Sequence, residues 1–258
     1  MNRILVAAAL LPPVGYLVLW GPGLALAAAA ALVGVLCYVE FARIAAGHGA
    51  HPPVAVGCAL GAILVFAPGA PMTQWMTALA VCMGLILFTR PVKEVLPDSG
   101  AFALGVVYCF VPWRCAVELR AVDPNWLVFA LAVCWIGDAA AFFTGKRWGR
   151  RKLAPAISSG KTWEGAAGSI AASAAFGLAF AAHVAPAAPL WEVVMLSAAA
   201  NIAGQVGDLA ESAMKRGAAL KDSGGMLGSH GGWLDRVDAN LFALPVVHYW
   251  IVVIGGRT

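Results

Sequence analysis

The chain has 258 residues, of which 61% are hydrophobic and only 12% charged, with a mean hydropathy of +0.82. Soluble domains carry about 45–50% apolar and about 25% charged residues, so this composition excludes both an ordinary water-soluble enzyme and a disordered chain. The net charge of +4 points away from nucleic acid once its placement is read. The basic residues sit in short segments between apolar runs, which suits lipid phosphate and the cytoplasmic face of a membrane.

Apolar runs predict about nine membrane-spanning helices, near 4–20, 24–46, 53–67, 72–89, 101–117, 126–144, 164–184, 191–210 and 239–254. A helix crosses ~30 Å of hydrocarbon with about 20 residues, so the third run is short and the 53–89 hairpin is the least defined pair. Gly and Ala crowd these runs, which suits close helix–helix contact in lipid. Residues 4–11 behind Arg3 have the look of a signal-peptide core, but the apolar pattern continues unbroken and the segment reads as the first span. The predicted fold class is all-α, a polytopic integral membrane bundle without a separate soluble domain. Residues 1–258 form one domain, with 1–130 supplying apolar spans and 131–258 the chemistry. The six cysteines (Cys37, Cys58, Cys82, Cys109, Cys115, Cys134) form no metal or CxxC pattern and read as small buried hydrophobes.

With the N-terminus inside, every one of the 17 basic residues except Arg114, Arg120 and Arg257 falls on the inner side. The positive-inside rule then makes 90–100, 145–163 and 213–238 the cytoplasmic loops of an inner-membrane protein, with its active site facing the cytoplasm. The first 130 residues carry little chemistry beyond Glu40 and Arg43, which are three apart on a helix and are expected to pair locally.

The sixth span ends on Asp138, its only acid, and runs into Lys146, Arg147, Arg150, Arg151 and Lys152, a segment expected to anchor at the membrane surface. Ser159-Gly-Lys161-Thr162 follows. It invites a P-loop reading, but the glycine required five positions earlier is Pro155 and no strand is predicted before it, so that reading is rejected.

In the eighth span Asn201, Gln205, Asp208, Ser212 and Lys215 are spaced 4, 3, 4 and 3, which places all five on one face of a continuous helix. A hydrogen-bonded seam between helices accounts for Asn201 and Gln205. It accounts less well for Asp208, because ionisable residues near the bilayer are functional by default. The loop after it reads Lys221-Asp222-Ser-Gly-Gly-Met-Leu-Gly-Ser-His230-Gly231-Gly232-Trp-Leu-Asp235-Arg236-Val-Asp238. Its glycines allow close backbone approach to a ligand. Asp235 and Asp238 share a face of the last helix and, with Asp208, would make a hard-oxygen cluster suited to Mg²⁺. Lys215, Arg216, Lys221 and Arg236 supply cations for phosphate.

The stretch from Ser212-Ala-Met-Lys215-Arg216 through Lys221-Asp222 to His230-Gly-Gly-Trp-Leu-Asp235-Arg236-Val-Asp238 resembles the signature of the phosphatidate cytidylyltransferase, or CDP-diacylglycerol synthase, family. Ser159-Gly-Lys161-Thr162-Trp-Glu164-Gly165 and Gly137-Asp138 are similar to its upstream motifs, and Tyr38-Val-Glu40-Phe-Ala-Arg43 to a weaker early one. The chain departs from the pattern at Trp233, Gly228-Ser229 and Ala239, none of which removes a charge.

The resemblance implies transfer of a cytidylyl group from CTP to phosphatidic acid, giving CDP-diacylglycerol and pyrophosphate, with Mg²⁺ and room for a second cation. It implies Asp208, Asp235 and Asp238 as metal ligands, and Lys215, Arg216, Lys221, Asp222 and Arg236 as further catalytic groups. Asp138, Ser159, Lys161, Thr162, Glu164, Ser212, His230, Gly231 and Gly232 are expected to contact substrate. The partners are then CTP, phosphatidic acid and membrane lipid, with no nucleic acid and a homodimer left open. Two other functions compete: a CTP-dependent lipid-alcohol kinase, which would release CDP, and a transporter, which would need polar residues through both membrane halves.

Overall fold

The computed structural model describes residues 12–67, 71–185, 188–226, 228 and 231–255. The start of the first predicted span, Arg3 with the apolar stretch behind it, His230 and Arg257 lie outside these. The chain divides into two compact units, Met1–Glu118 with Met214–Val237, and Leu119–Ala213 with Asp238–Thr258.

The first unit contains α1 (12–19), α2 (Gly23–Gly47), α3 (Val54–Phe66), α4 (Met72–Thr89) and α5 (Val92–Val122) as far as Glu118. Its core is aromatic, with Tyr38, Phe102 and Phe110 fully buried. The rings of Tyr38 and Phe110 lie 5.8 Å apart in a tilted pair and press on Gly57 and Gly61 of α3, where any Cβ would collide. Small residues thus let these helix backbones approach, as the Gly-rich runs predict.

The segment 90–100, predicted as a loop, is helical from Val92. Its Asp98 is tied down instead of solvated. Asp98 is fully buried and accepts from the His51 N–H at 2.6 Å, while Arg90 pairs with it at 3.2 Å and donates to the His51 carbonyl at 2.9 Å.

The second unit takes over at Leu119 and holds α6 (Pro124–Trp148), the strands β1 (Lys152–Ala154) and β2 (Ser158–Thr162), α7 (Trp163–His183) and α8 (Leu190–Gly217) as far as Ala213. It also holds α9 (Leu234–His248) from Asp238, followed by a π-helical stretch, Tyr249–Ile254. Asp123 N-caps α6, accepting from the Asn125 N–H at 2.8 Å, with Pro124 opening the helix where no N–H is needed. The predicted 145–163 loop is an antiparallel hairpin pairing Lys152 with Thr162 and Ala154 with Ser158. A short strand therefore does precede α7, contrary to the sequence expectation. The Gly-Lys-Thr segment is nonetheless part of that strand, and Thr162 caps α7 by accepting from the Gly165 N–H at 3.1 Å. Trp126, Phe129, Phe176 and Phe180 form the aromatic core of this unit, with ring centroids 4.9–6.1 Å apart.

Among the described residues six helices (α2, α5, α6, α7, α8 and Leu234–Ile254) are long and apolar enough to cross a membrane, and α3 and α4 are apolar but shorter. Large apolar side chains such as Trp20, Leu24, Phe88 and Leu104 point outward, the reverse of a water-soluble surface. The protein is an all-α polytopic membrane protein.

Candidate active site

In the second unit a pocket is lined by Asp138 and Phe142 from α6, Gly160, Lys161 and Thr162 from β2, Ala166 from α7, and Gln205 and Asp208 from α8. Lys161 reaches Asp208 at 2.6 Å, with both side chains partly open to solvent. Three motifs far apart in sequence thus meet. The intramembrane Asp138, the strand carrying Lys161 and the polar face of α8 together make one polar recess with two carboxylates and a cation.

The polar face of α8 is continuous, as its spacing predicts. Gln205 donates to Asn201 Oδ1 at 2.7 Å, and Ser212 donates to Asp208 at 3.4 Å, each one turn away. Its deeper end is structural. Asn201 donates to Ser169 Oγ of α7 at 3.0 Å, and Gly137 of α6 leaves no room for a Cβ beside that amide. Asn201 and Gln205 therefore hold helices together, and the chemistry-bearing end begins at Asp208. One residue earlier, a Cβ on Gly207 would stand 2.7 Å from the Asp238 carbonyl, so α8 and the start of α9 touch beside Asp208. Asp238 accepts from the Ala239 N–H at 2.8 Å.

The glycine-rich loop belongs to the first unit and is organised by two carboxylates. Asp235 takes Lys215 Nζ at 2.5 Å, with the two side chains 8% and 10% exposed. It also accepts from the Ser223 N–H at 3.1 Å and the Gly232 N–H at 2.7 Å, just before the start of α9. Glu40 of α2, 3% exposed, takes the rest. It accepts from Ser223 Oγ at 2.7 Å, the Leu234 N–H at 2.9 Å and the Trp233 N–H at 3.1 Å. The last two are donors that a helix start leaves unsatisfied.

Glu40 was missed as a site residue because spacing offers it only Arg43. Among the described residues no ion pair joins those two. The only sequence signal was the resemblance of 38–43 to a family motif. The glycines also serve the loop's own packing. Gly224 and Gly232 make room for the Glu40 carboxylate, and a Cβ on Gly231, whose φ is +77°, would stand 2.6 Å from Asp235.

Among the remaining predicted residues, Lys221, Asp222 and Arg236 are exposed, as is Ser159 on β2. Arg216 donates to the Leu220 carbonyl at 3.2 Å and closes the end of α8. Glu164 is taken up locally, accepting from the N–H groups of Arg150 at 3.1 Å and Arg151 at 3.2 Å. Asp208 and Asp238 lie in the second unit and Asp235 in the first. Among the described residues no three His, Cys, Asp or Glu side chains gather closely enough to hold a metal by themselves. Asp138 and Asp208 line one recess and are the two carboxylates there that Mg²⁺ could use. That ion takes few carboxylates and fills its other positions with water and substrate phosphates. Asp235, engaged by Lys215 and two backbone N–H groups, fits such a role less well.

A model described as the cytidylyltransferase family matches residues 1–254. The chain is 34% identical over 181 residues to the phosphatidate cytidylyltransferase of Bacillus subtilis, covering 68% of this chain and 67% of that protein. It is 30% identical over 203 residues to the enzyme of the same name from Staphylococcus saprophyticus, covering 76% and 78%. With that of Brucella suis it shares 43% over 149 residues, covering 57% and 55%.

Proposed function

The chain belongs to the cytidylyltransferase family, and on that premise we propose that it transfers the cytidylyl group of CTP to phosphatidic acid, releasing pyrophosphate. The observation that carries this beyond the family is the recess where Asp138, Lys161 and Asp208 meet.

The reaction needs little acid–base chemistry. The phosphate monoester of phosphatidic acid is already ionised at neutral pH, and one of its oxygens attacks the α-phosphorus of CTP. The α–β bridging bond breaks, and pyrophosphate leaves with its electron pair. What the protein must do is bring two polyanions together and neutralise them, which is positioning and electrostatics. Lys161 and Thr162 bind phosphate oxygens at the recess. Lys221 and Arg236, exposed on and just after the glycine-rich loop, bind further phosphate oxygens. Asp208, Asp138 and Asp238 would help hold Mg²⁺, an ion that would supply screening of the phosphate charges and stabilisation of the leaving pyrophosphate. The positive-inside pattern supports a site facing the cytoplasm.

The test is purified protein incubated with CTP labelled in the cytosine, phosphatidic acid and Mg²⁺. Label recovered in a lipid, with pyrophosphate released, is expected; label recovered as CDP would instead identify a lipid-alcohol kinase. CTP does not cross bilayers, so sealed inside-out vesicles should turn over and right-side-out ones should not.

The phosphate contacts have their own expected result. Alanine at Lys221 or Arg236 should lower turnover at least ~100-fold, the scale of one preorganised electrostatic contact. Alanine at Arg150 or Arg151, whose backbone N–H groups are tied to Glu164, should cost only a few-fold. Equal mild losses at all four would mean these residues only anchor the surface.

A further inference from the structure

We propose that the cytoplasmic end of α2 braces the glycine-rich loop at both of its ends, and that Glu40 is a positioning residue for the transfer. This rests on the reading above that Lys221 and Arg236 bind phosphate.

Between Gly217 and Leu234 the described residues form no α-helix or strand, so the shape of this loop depends on the groups it touches. At the loop's start, His48 Nε2 lies 2.9 Å from the Met214 carbonyl, and its ring fills the space a Cβ on Gly217 would need. Gly47 lets Ala218 in, since a Cβ there would stand 2.7 Å from that residue's Cβ. At the loop's far end Glu40 takes Ser223 Oγ–H and the N–H groups of Trp233 and Leu234. These partners are 183–194 residues away in sequence. One carboxylate thereby fixes Ser223, two residues after Lys221, and Leu234, two residues before Arg236.

The glycine pattern supports the same assignment independently. A side chain at either Gly224 or Gly232 would run into Glu40, so the loop is shaped around this carboxylate. Burying a carboxylate is costly unless its lone pairs are filled. Here they are filled by three donors, two of them at the N-terminus of α9, where helix geometry favours negative charge.

A purely stabilising cap would change how much protein folds but not the rate per folded molecule. Positioning predicts otherwise, because a displacement of about 1 Å in a reacting group can cost roughly 100-fold. Glu40→Gln keeps the shape and aims an NH₂ at a donor. In full-length protein in nanodiscs it should lower kcat per monodisperse molecule at least ~10-fold with the KM for CTP changed less. Ser223→Ala, which removes one donor and no charge, should shift kcat in the same direction by a few-fold.

A second measurement needs no turnover. In Glu40→Gln the amides of Trp233 and Leu234 should exchange hydrogen faster, and the hairpin amides of 152–162 should not. Gly224→Ala should be severely impaired, and Glu40→Asp, which withdraws the carboxylate by one methylene, should partly rescue it. Glu40→Gln with wild-type kcat and unchanged amide exchange would overturn the proposal, as would Gly224→Ala and Glu40→Asp effects that simply multiply. Failure of wild-type protein to make CDP-diacylglycerol would overturn the functional reading instead, while the exchange experiment still tests the brace.

Discussion

Asp208→Asn is expected to reduce turnover at least ~100-fold while the protein still inserts and remains monodisperse. Asp208 holds Lys161 at 2.6 Å and lines the recess with Asp138. Asn keeps the volume and removes the charge, so Lys161 loses its ion-pair partner and the recess loses a hard oxygen donor. A preorganised charge of this kind is worth about 10²–10³ in rate, whereas a partly exposed ion pair contributes only about 0–1 kcal/mol to stability. Activity and stability should therefore separate: kcat collapses, and the thermal midpoint in detergent stays within a few degrees. If Asp208 belongs to a Mg²⁺ site, the variant's residual activity should also need more Mg²⁺ for half-saturation. An Asp208→Asn enzyme with wild-type rate and Mg²⁺ dependence would leave the acid as an ion-pair partner of Lys161 and nothing more.

Asp235→Asn should behave differently, losing stability as well as activity. Its carboxylate and Lys215 are both about nine-tenths buried, at 2.5 Å. Removing one member of such a pair typically costs about 3–5 kcal/mol, because the other charge stays buried without compensation. Lys215→Met should be milder, since the Asp235 oxygens keep the N–H groups of Ser223 and Gly232. The measurement is the thermal midpoint of each variant at low and high salt. The order wild type, Lys215→Met, Asp235→Asn should persist at high salt, because buried pairs are screened little. Equal midpoints for Asp235→Asn and wild type would show that the pair does not hold the loop.

Much of the architecture was legible beforehand because a bilayer imposes a local rule. Each crossing needs a continuous apolar run, so the runs at 24–46, 126–144 and 164–184 fall within α2, α6 and α7 almost to the residue. The stripe from Asn201 to Lys215 was legible for a related reason, since a 3.6-residue period is a property of neighbouring positions. The segment 90–100 was misread because its polar composition mimics a loop. What the composition does not show is that Asp98 is buried, held by the His51 N–H from elsewhere in the chain and by Arg90 of the same segment. The hairpin over 152–162 escaped notice because two short strands of polar residues carry no two-residue hydrophobic alternation.

The amino-acid sequence by itself determined that this protein lives in a membrane, where several of its long apolar helices fall, and which acids and bases are available for phosphate chemistry. It also determined the reaction class, through a signature whose charges and spacings are fixed. Only the tertiary structure decided which of those charges meet. Lys161 chooses Asp208, Lys215 chooses Asp235, and Glu40 leaves its neighbour Arg43 for a loop 183–194 residues away. Spacing arguments reach one or two turns of helix, whereas a buried carboxylate is satisfied by whatever donors packing brings to it, and packing is set by the whole chain.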